Sequence, residues 1–319
     1  MAYSALAHVG AVTVAMVLLG SLAHADVRTP IGLALSSAPI DQRHTPEISV
    51  YVPRSSDAVL DERVNAGHHW RLETGRGVVH VWAPADYDAE TAAMVVFVHG
   101  YWINVDVAWE SYRLAQQFAL SGINALFMVP DAPATKRDPI AWPSLAELVR
   151  TVADHIDIAM PAKRLVAVGH SGAYRTLARW LTNPALDTVV QLDALYTEYG
   201  LLRWMRESKQ HRLVNIVYET GRFSDYLHRW LPSTKRVAGL PRAGLPEARI
   251  LYVRTEVGHW ELVTGGVALP LALRAIGVPL VTSAPIDLPL GLSPRDVPSL
   301  TMHWIARPPF APRLIELAP

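Results

Sequence analysis

A mostly parallel β-sheet with helices on both faces, the α/β class, is predicted by three features of this sequence. Short runs of β-branched and aromatic residues recur along its middle, helical patterns lie between them, and each run is apolar over nearly its whole length. A strand wet on one face would alternate apolar and polar residues, so runs without alternation imply cover on both sides. Half of the 319 residues are hydrophobic, enough for one large core.

The elements follow in order. Val9 to Leu19 is an apolar run without charge, followed by Ala23-His24-Ala25 and the first acidic residue, Asp26. That is the order of hydrophobic region, small-residue cleavage site and mature start in a secretory signal peptide. A run of about eleven residues is short of the roughly twenty that span a bilayer. Residues 1–25 are therefore expected to be removed, leaving a secreted or periplasmic protein without a stable membrane anchor. Residues 26–66 read as an irregular extension with at most one short strand, Ile48 to Val52.

Strands are predicted at Val78 to Trp82 and Met94 to Val98, with Thr74-Gly75-Arg76-Gly77 before them and Pro84-Ala85-Asp86-Tyr87-Asp88 between. Further strands are predicted at Asn124 to Val129, Arg164 to Val168, Thr188 to Leu192, Leu213 to Tyr218 and Arg249 to Val253. Trp109 to Leu120 carries helical spacing and ends at Ser121-Gly122. Leu145 to Ile158 repeats the pattern and opens on Ser144 with Glu147 three residues on, a capping box. No internal repeat or Gly/Ser linker divides the alternation, so residues 67–282 are read as one domain. Within it, 196–244 is rich in aromatic residues and is either a lid or ordinary core helices around one strand. The Pro-rich tail, 283–319, is expected to lack regular structure.

Composition excludes several functions. Lys plus Arg and Asp plus Glu both number 29, which argues against a protein built to neutralise phosphates, so no nucleic-acid partner is expected. Cys is absent, which removes thiolate nucleophiles, disulfides and Cys-ligated metal. Neither G-x-G-x-x-G nor G-x-x-x-x-G-K-[ST] occurs, so no nucleotide cofactor is indicated. His68-His69 and the Asp154, His155, Asp157 group lack the spacing of a metal site, and no metal or other cofactor is expected.

The strongest local signal runs from Leu165 to Leu181. An apolar strand enters Gly169-His170-Ser171-Gly172-Ala173, and a helix follows with Ala173, Leu177, Trp180 and Leu181 on one face. A serine between small residues at a strand-to-helix turn is forced into a sharp conformation that exposes its hydroxyl at the sheet edge. The helix start also aims backbone N–H groups there, which favours an oxyanion.

With these residues the chain resembles the α/β-hydrolase family, over roughly residues 78–269. The family elbow reads G-x-S-x-G, and Ala173 stands here in the last position. The resemblance implies Ser171 as nucleophile and the Gly172 amide as one oxyanion donor. The second donor comes from the His99-Gly100-Tyr101-Trp102 loop, at Tyr101, with Trp102 as fallback. The family places its base after the last strand, which is His259 in Glu256-Val257-Gly258-His259. His170, His99, His211 and His68-His69 stand elsewhere. For the acid, Asp193 directly after the strand Thr188 to Leu192 is favoured, because a carboxylate there is costly without a partner. Glu219, at the commoner family position, is the alternative, with Asp225 further along its loop. The resemblance implies an esterase acting on a small-molecule or lipid-like acyl substrate. Amide or peptide cleavage by the same triad is the alternative, and a non-catalytic binding protein on this fold is the reading from another class.

Overall fold

A computed structural model describes residues 55–241 and 244–281. The expected signal peptide, the strand at Ile48 to Val52 and the Pro-rich tail lie outside the described residues. The elements in chain order are α1 (Ser55–Ala66), β1 (His68–Thr74), β2 (Gly77–Ala83), β3 (Ala93–Val98), α2 (Val105–Ser111), α3 (Leu114–Ser121), β4 (Ala125–Pro130) and α4 (Leu145–Ala153). They continue with β5 (Lys163–His170), α5 (Tyr174–Trp180), β6 (Leu186–Leu192), α6 (Tyr199–Glu207), β7 (Arg212–Val217), α7 (Gly221–Arg229), β8 (Lys235–Ala238), β9 (Ile250–Arg254), α8 (Glu261–Thr264) and α9 (Ala268–Arg274).

The nine strands form one sheet in the order β1-β2-β4-β3-β5-β6-β7-β9-β8. β1 and β2 pair antiparallel, as do β2 and β4, and every other pairing is parallel. Two apolar clusters cover the two faces. Val95 and Phe97 of β3 join Phe118, Phe127 and Leu269 in one, whereas Val96 and Val98 join Leu148, Leu177 and Trp204 in the other. Alternate residues of one strand thus enter different clusters, which is why the strands read as unbroken apolar runs.

Three features depart from the sequence reading. The extension ends in helix α1 rather than irregular chain, and its Leu60 is buried against the core. The helix expected over Trp109 to Leu120 is two helices, broken at Arg113, whose φ is 49°. The buried Gln117 carboxamide donates to the carbonyls of Tyr112 and Val263, so it takes up a carbonyl at the break and ties it to the far end of the domain. Strands β1 and β8 had no apolar signature because they are the sheet edges and are largely exposed. The stretch after Tyr196 builds α6, β7, α7 and β8, with Leu201, Trp204, Met205 and Leu227 in the core, so it is sheet and covering helix. As expected, Ser144 caps α4 through the Glu147 amide, while the Glu147 carboxylate pairs with Arg76 instead of closing the box.

Two buried imidazoles make the fold sensitive to acid. Burial first, and Arg236 second, pull the pKa of His228 down to about 4, and burial together with His259 pulls that of His170 down to about 3. Unfolded, each would titrate near 6.5. The folded chain therefore binds fewer protons than the unfolded one between those values, and stability present above pH 6.5 is lost as pH falls through the window. The melting temperature is expected to drop by on the order of 10 °C between pH 7 and pH 4.5. A flat profile by calorimetry over that range would contradict the neutral buried state.

Among the described residues, no helix is long and apolar enough to cross a membrane.

Candidate active site

Ser171 lies between the last residue of β5 and the start of α5, in a single 3₁₀ turn, with φ at 50°. A non-glycine residue in this left-handed region is strained, and the fold must impose it. Packing supplies the constraint. A Cβ at Gly169 would lie 2.6 Å from the Leu177 side chain and 2.9 Å from the Ala173 Cβ, so strand and helix approach more closely than two side chains allow. Ala173 is tolerated in place of glycine because Gly169 faces it.

Asp193 follows β6 directly and is also left-handed, with φ at 49° and no exposed surface. Its Oδ1 accepts from the Tyr218 amide (3.0 Å), the Thr220 amide (2.8 Å) and the Thr220 hydroxyl (2.8 Å). Its Oδ2 accepts from the Glu219 amide (3.0 Å) and lies 2.7 Å from His259 Nδ1. Burial works to raise the pKa of this carboxyl, but the bonds from His259, Thr220 and Glu219 outweigh it and hold the group below the usual carboxylate range.

The two candidate acids meet the same imidazole in different ways. Glu219 contributes its backbone amide to Asp193, while its own carboxylate is 60% exposed and stands 4.0 Å from His259 Nδ1. Asp225 points elsewhere, to Tyr252 and Arg254. Asp193, Glu219 and His259 bring potential metal-ligand atoms within 4.8 Å of one another. Both Asp193 oxygens are already occupied by the five contacts above, and the Glu219 carboxylate stands outside that hydrogen-bond network.

The loop after β3 faces the elbow. The Tyr101 ring lies over Gly172, where a Cβ would come within 2.5 Å of it, so only glycine fits after the serine. The Trp102 amide donates to the Ala134 carbonyl at 2.7 Å. That engagement removes Trp102 as the fallback donor, whereas the Tyr101 amide has no acceptor among the described residues. Sequence reasoning missed two groups here. The Tyr196 phenol is pushed above its ordinary pKa chiefly by burial, with the nearby Ser171 hydroxyl acting in the opposite sense. The exposed Trp260 stands edge-on to His259, ring centroids 5.8 Å apart. Tyr196 acquires its place beside the serine from the sheet order, whereas Trp260 simply follows His259 in the chain.

No family model matches the chain, and no curated protein matches it. Solved structures similar to it include S-formylglutathione hydrolase from Staphylococcus aureus, at 14% identity over 65% of this chain and 94% of that one, TM-score 0.42. A mutant of the feruloyl esterase module from Clostridium thermocellum, complexed with sinapinate, matches at 12% identity over 71% and 94%, TM-score 0.49. An esterase from the archaeon Pyrobaculum calidifontis matches at 14% over 70% and 91%, TM-score 0.43. The chain's own strand order, its strained serine between a parallel strand and a helix, and its carboxylate–imidazole pair at the same sheet edge give it the α/β-hydrolase fold.

Proposed function

We propose that this protein is a serine hydrolase that cleaves carboxylic esters through an acyl-enzyme. The observation that carries the reading is the 2.7 Å contact between buried Asp193 and His259 Nδ1, at the sheet edge where Ser171 is held in the elbow conformation. With Nδ1 committed to a carboxylate, Nε2 is the nitrogen left to exchange a proton. Ser171 Oγ attacks the acyl carbonyl as His259 Nε2 takes its proton, and the Gly172 and Tyr101 amides receive the oxyanion. His259 returns the proton to the leaving alcohol as the ester bond breaks. Water then attacks the acyl group, again losing a proton to His259, and the acid departs as Ser171 regains its hydrogen.

The reading includes export, on the sequence grounds of Val9 to Leu19 and the Ala23-His24-Ala25 site. A fluorophosphonate probe is expected to label the protein at Ser171, as read by peptide mass, and prior labelling should block hydrolysis of p-nitrophenyl acetate. Absence of both labelling and turnover would leave the non-catalytic alternative standing.

A further inference from the structure

The residue before the nucleophile plays no part in the reaction above, yet it touches both the base loop and the oxyanion loop that the reaction uses. His170 ends β5 and has no exposed surface. Its Nε2 lies 2.9 Å from the backbone carbonyl oxygen of His259. A carbonyl can only accept, so Nε2 carries the proton and donates.

That carbonyl is passed over by the helix it precedes. The Leu262 amide donates to the Gly258 carbonyl, and the amides of Val263 and Thr264 both donate to that of Trp260. The first turn of α8 thus skips His259, and the hydrogen bond its carbonyl receives comes from His170. On the other edge of the ring, Nδ1 is buried without a partner. It faces Gly100, where a Cβ would stand 3.1 Å from Nδ1 and 2.9 Å from the Ser171 Cβ. The His170 ring centroid is 4.6 Å from that of His259 and 5.6 Å from that of Trp260.

We propose that His170 is a positioning residue, whose Nε2–H bond to the His259 carbonyl fixes the base loop on the nucleophile elbow while its opposite edge seats the oxyanion loop at Gly100. The proposal rests on the hydrolase reading, since it assigns His170 the registration of that reading's three catalytic loops. The chemistry favours a donor that stays neutral. His259, Asp193 and His99 face the ring, and burial, with His259 next, keeps its pKa near 3. A cation at this distance would oppose the imidazolium that forms on His259 during turnover.

Three variants test it: His170→Leu, which has no donor, His170→Gln, which has a neutral one, and His170→Lys, which has a charged one. The Leu variant is expected to lose about 10²-fold in kcat with KM within about threefold, since misplacing a reacting group by about 1 Å costs that much. The Gln variant should recover to within about tenfold of wild type, and the Lys variant should stay as poor as Leu. The far-downfield proton resonance of the His259–Asp193 pair should broaden or vanish in Leu and persist in Gln. Equal kcat in folded Leu and wild-type proteins overturns the proposal, as does loss that Gln fails to relieve.

If the wild type cleaves no ester, the hydrolase reading fails, and the downfield resonance still tests the tether. If Leu does not fold, ¹⁵N spectra of the wild type decide: His170 should be neutral and protonated on Nε2 from pH 8 to pH 5. The opposite tautomer, or charging within that range, overturns the proposal.

Discussion

Replacing Ser171 by alanine is expected to lower kcat for a p-nitrophenyl acyl ester by about 10⁶-fold, to the level that binding and the oxyanion donors alone support. The melting temperature should stay within a few degrees of wild type. Alanine keeps a Cβ in the same left-handed backbone and in the same contact with Gly100, and only a hydroxyl is removed. Progress curves at high enzyme concentration measure the effect. Turnover that survives the substitution would place the nucleophile elsewhere and leave the 50° φ at Ser171 without a catalytic reason.

The second large effect is expected at Asp193. Asp193→Asn should lower kcat by about 10⁴-fold at neutral pH, because a donor amide traps the imidazole in the wrong tautomer, with partial recovery at high pH. It should also destabilise the fold. Both carboxylate oxygens accept from backbone amides, so an Asn nitrogen meets either the Glu219 amide or those of Tyr218 and Thr220, a donor facing a donor. A buried mismatch of this kind costs about 1–3 kcal/mol. Glu219→Gln should remain within a few-fold of wild type in kcat, because the backbone amide, and not the carboxylate, reaches the buried network. The reverse pattern would move the acid to Glu219 and leave Asp193 as an anchor for the loop after β7.

What was legible in the sequence follows from where information is local. The interior strands could be read from Val95 to Val98 or Ala125 to Val129 because burial on both faces removes polar residues from every position. The elbow could be read because its constraint is the contact of one strand with the helix that follows it, expressed in Gly169, Gly172 and Ala173. The edges could not, since Lys235 to Ala238 pairs along one side only and solvates the rest. Nor could the kink at Arg113, whose adjoining carbonyl is engaged by a side chain that also reaches residue 263. The choice between Asp193 and Glu219 turned on an argument about the cost of an unpartnered charge. The partners themselves, three consecutive amides from Tyr218 to Thr220, are backbone groups that any sequence would carry.

The left-handed backbone at Ser171 and Asp193, at the ends of the neighbouring strands β5 and β6, has a consequence for the history of the chain. Each position holds a side chain where glycine would relax without resistance, at a cost of about 1–3 kcal/mol. At Ser171, drift toward greater robustness would therefore favour glycine and erase the hydroxyl early, whereas at Asp193 glycine would strand the amides of Tyr218, Glu219 and Thr220, so the fold itself holds the carboxylate. A lineage released from its reaction would gain stability by losing the Ser171 side chain first, and the carboxylate would outlast it.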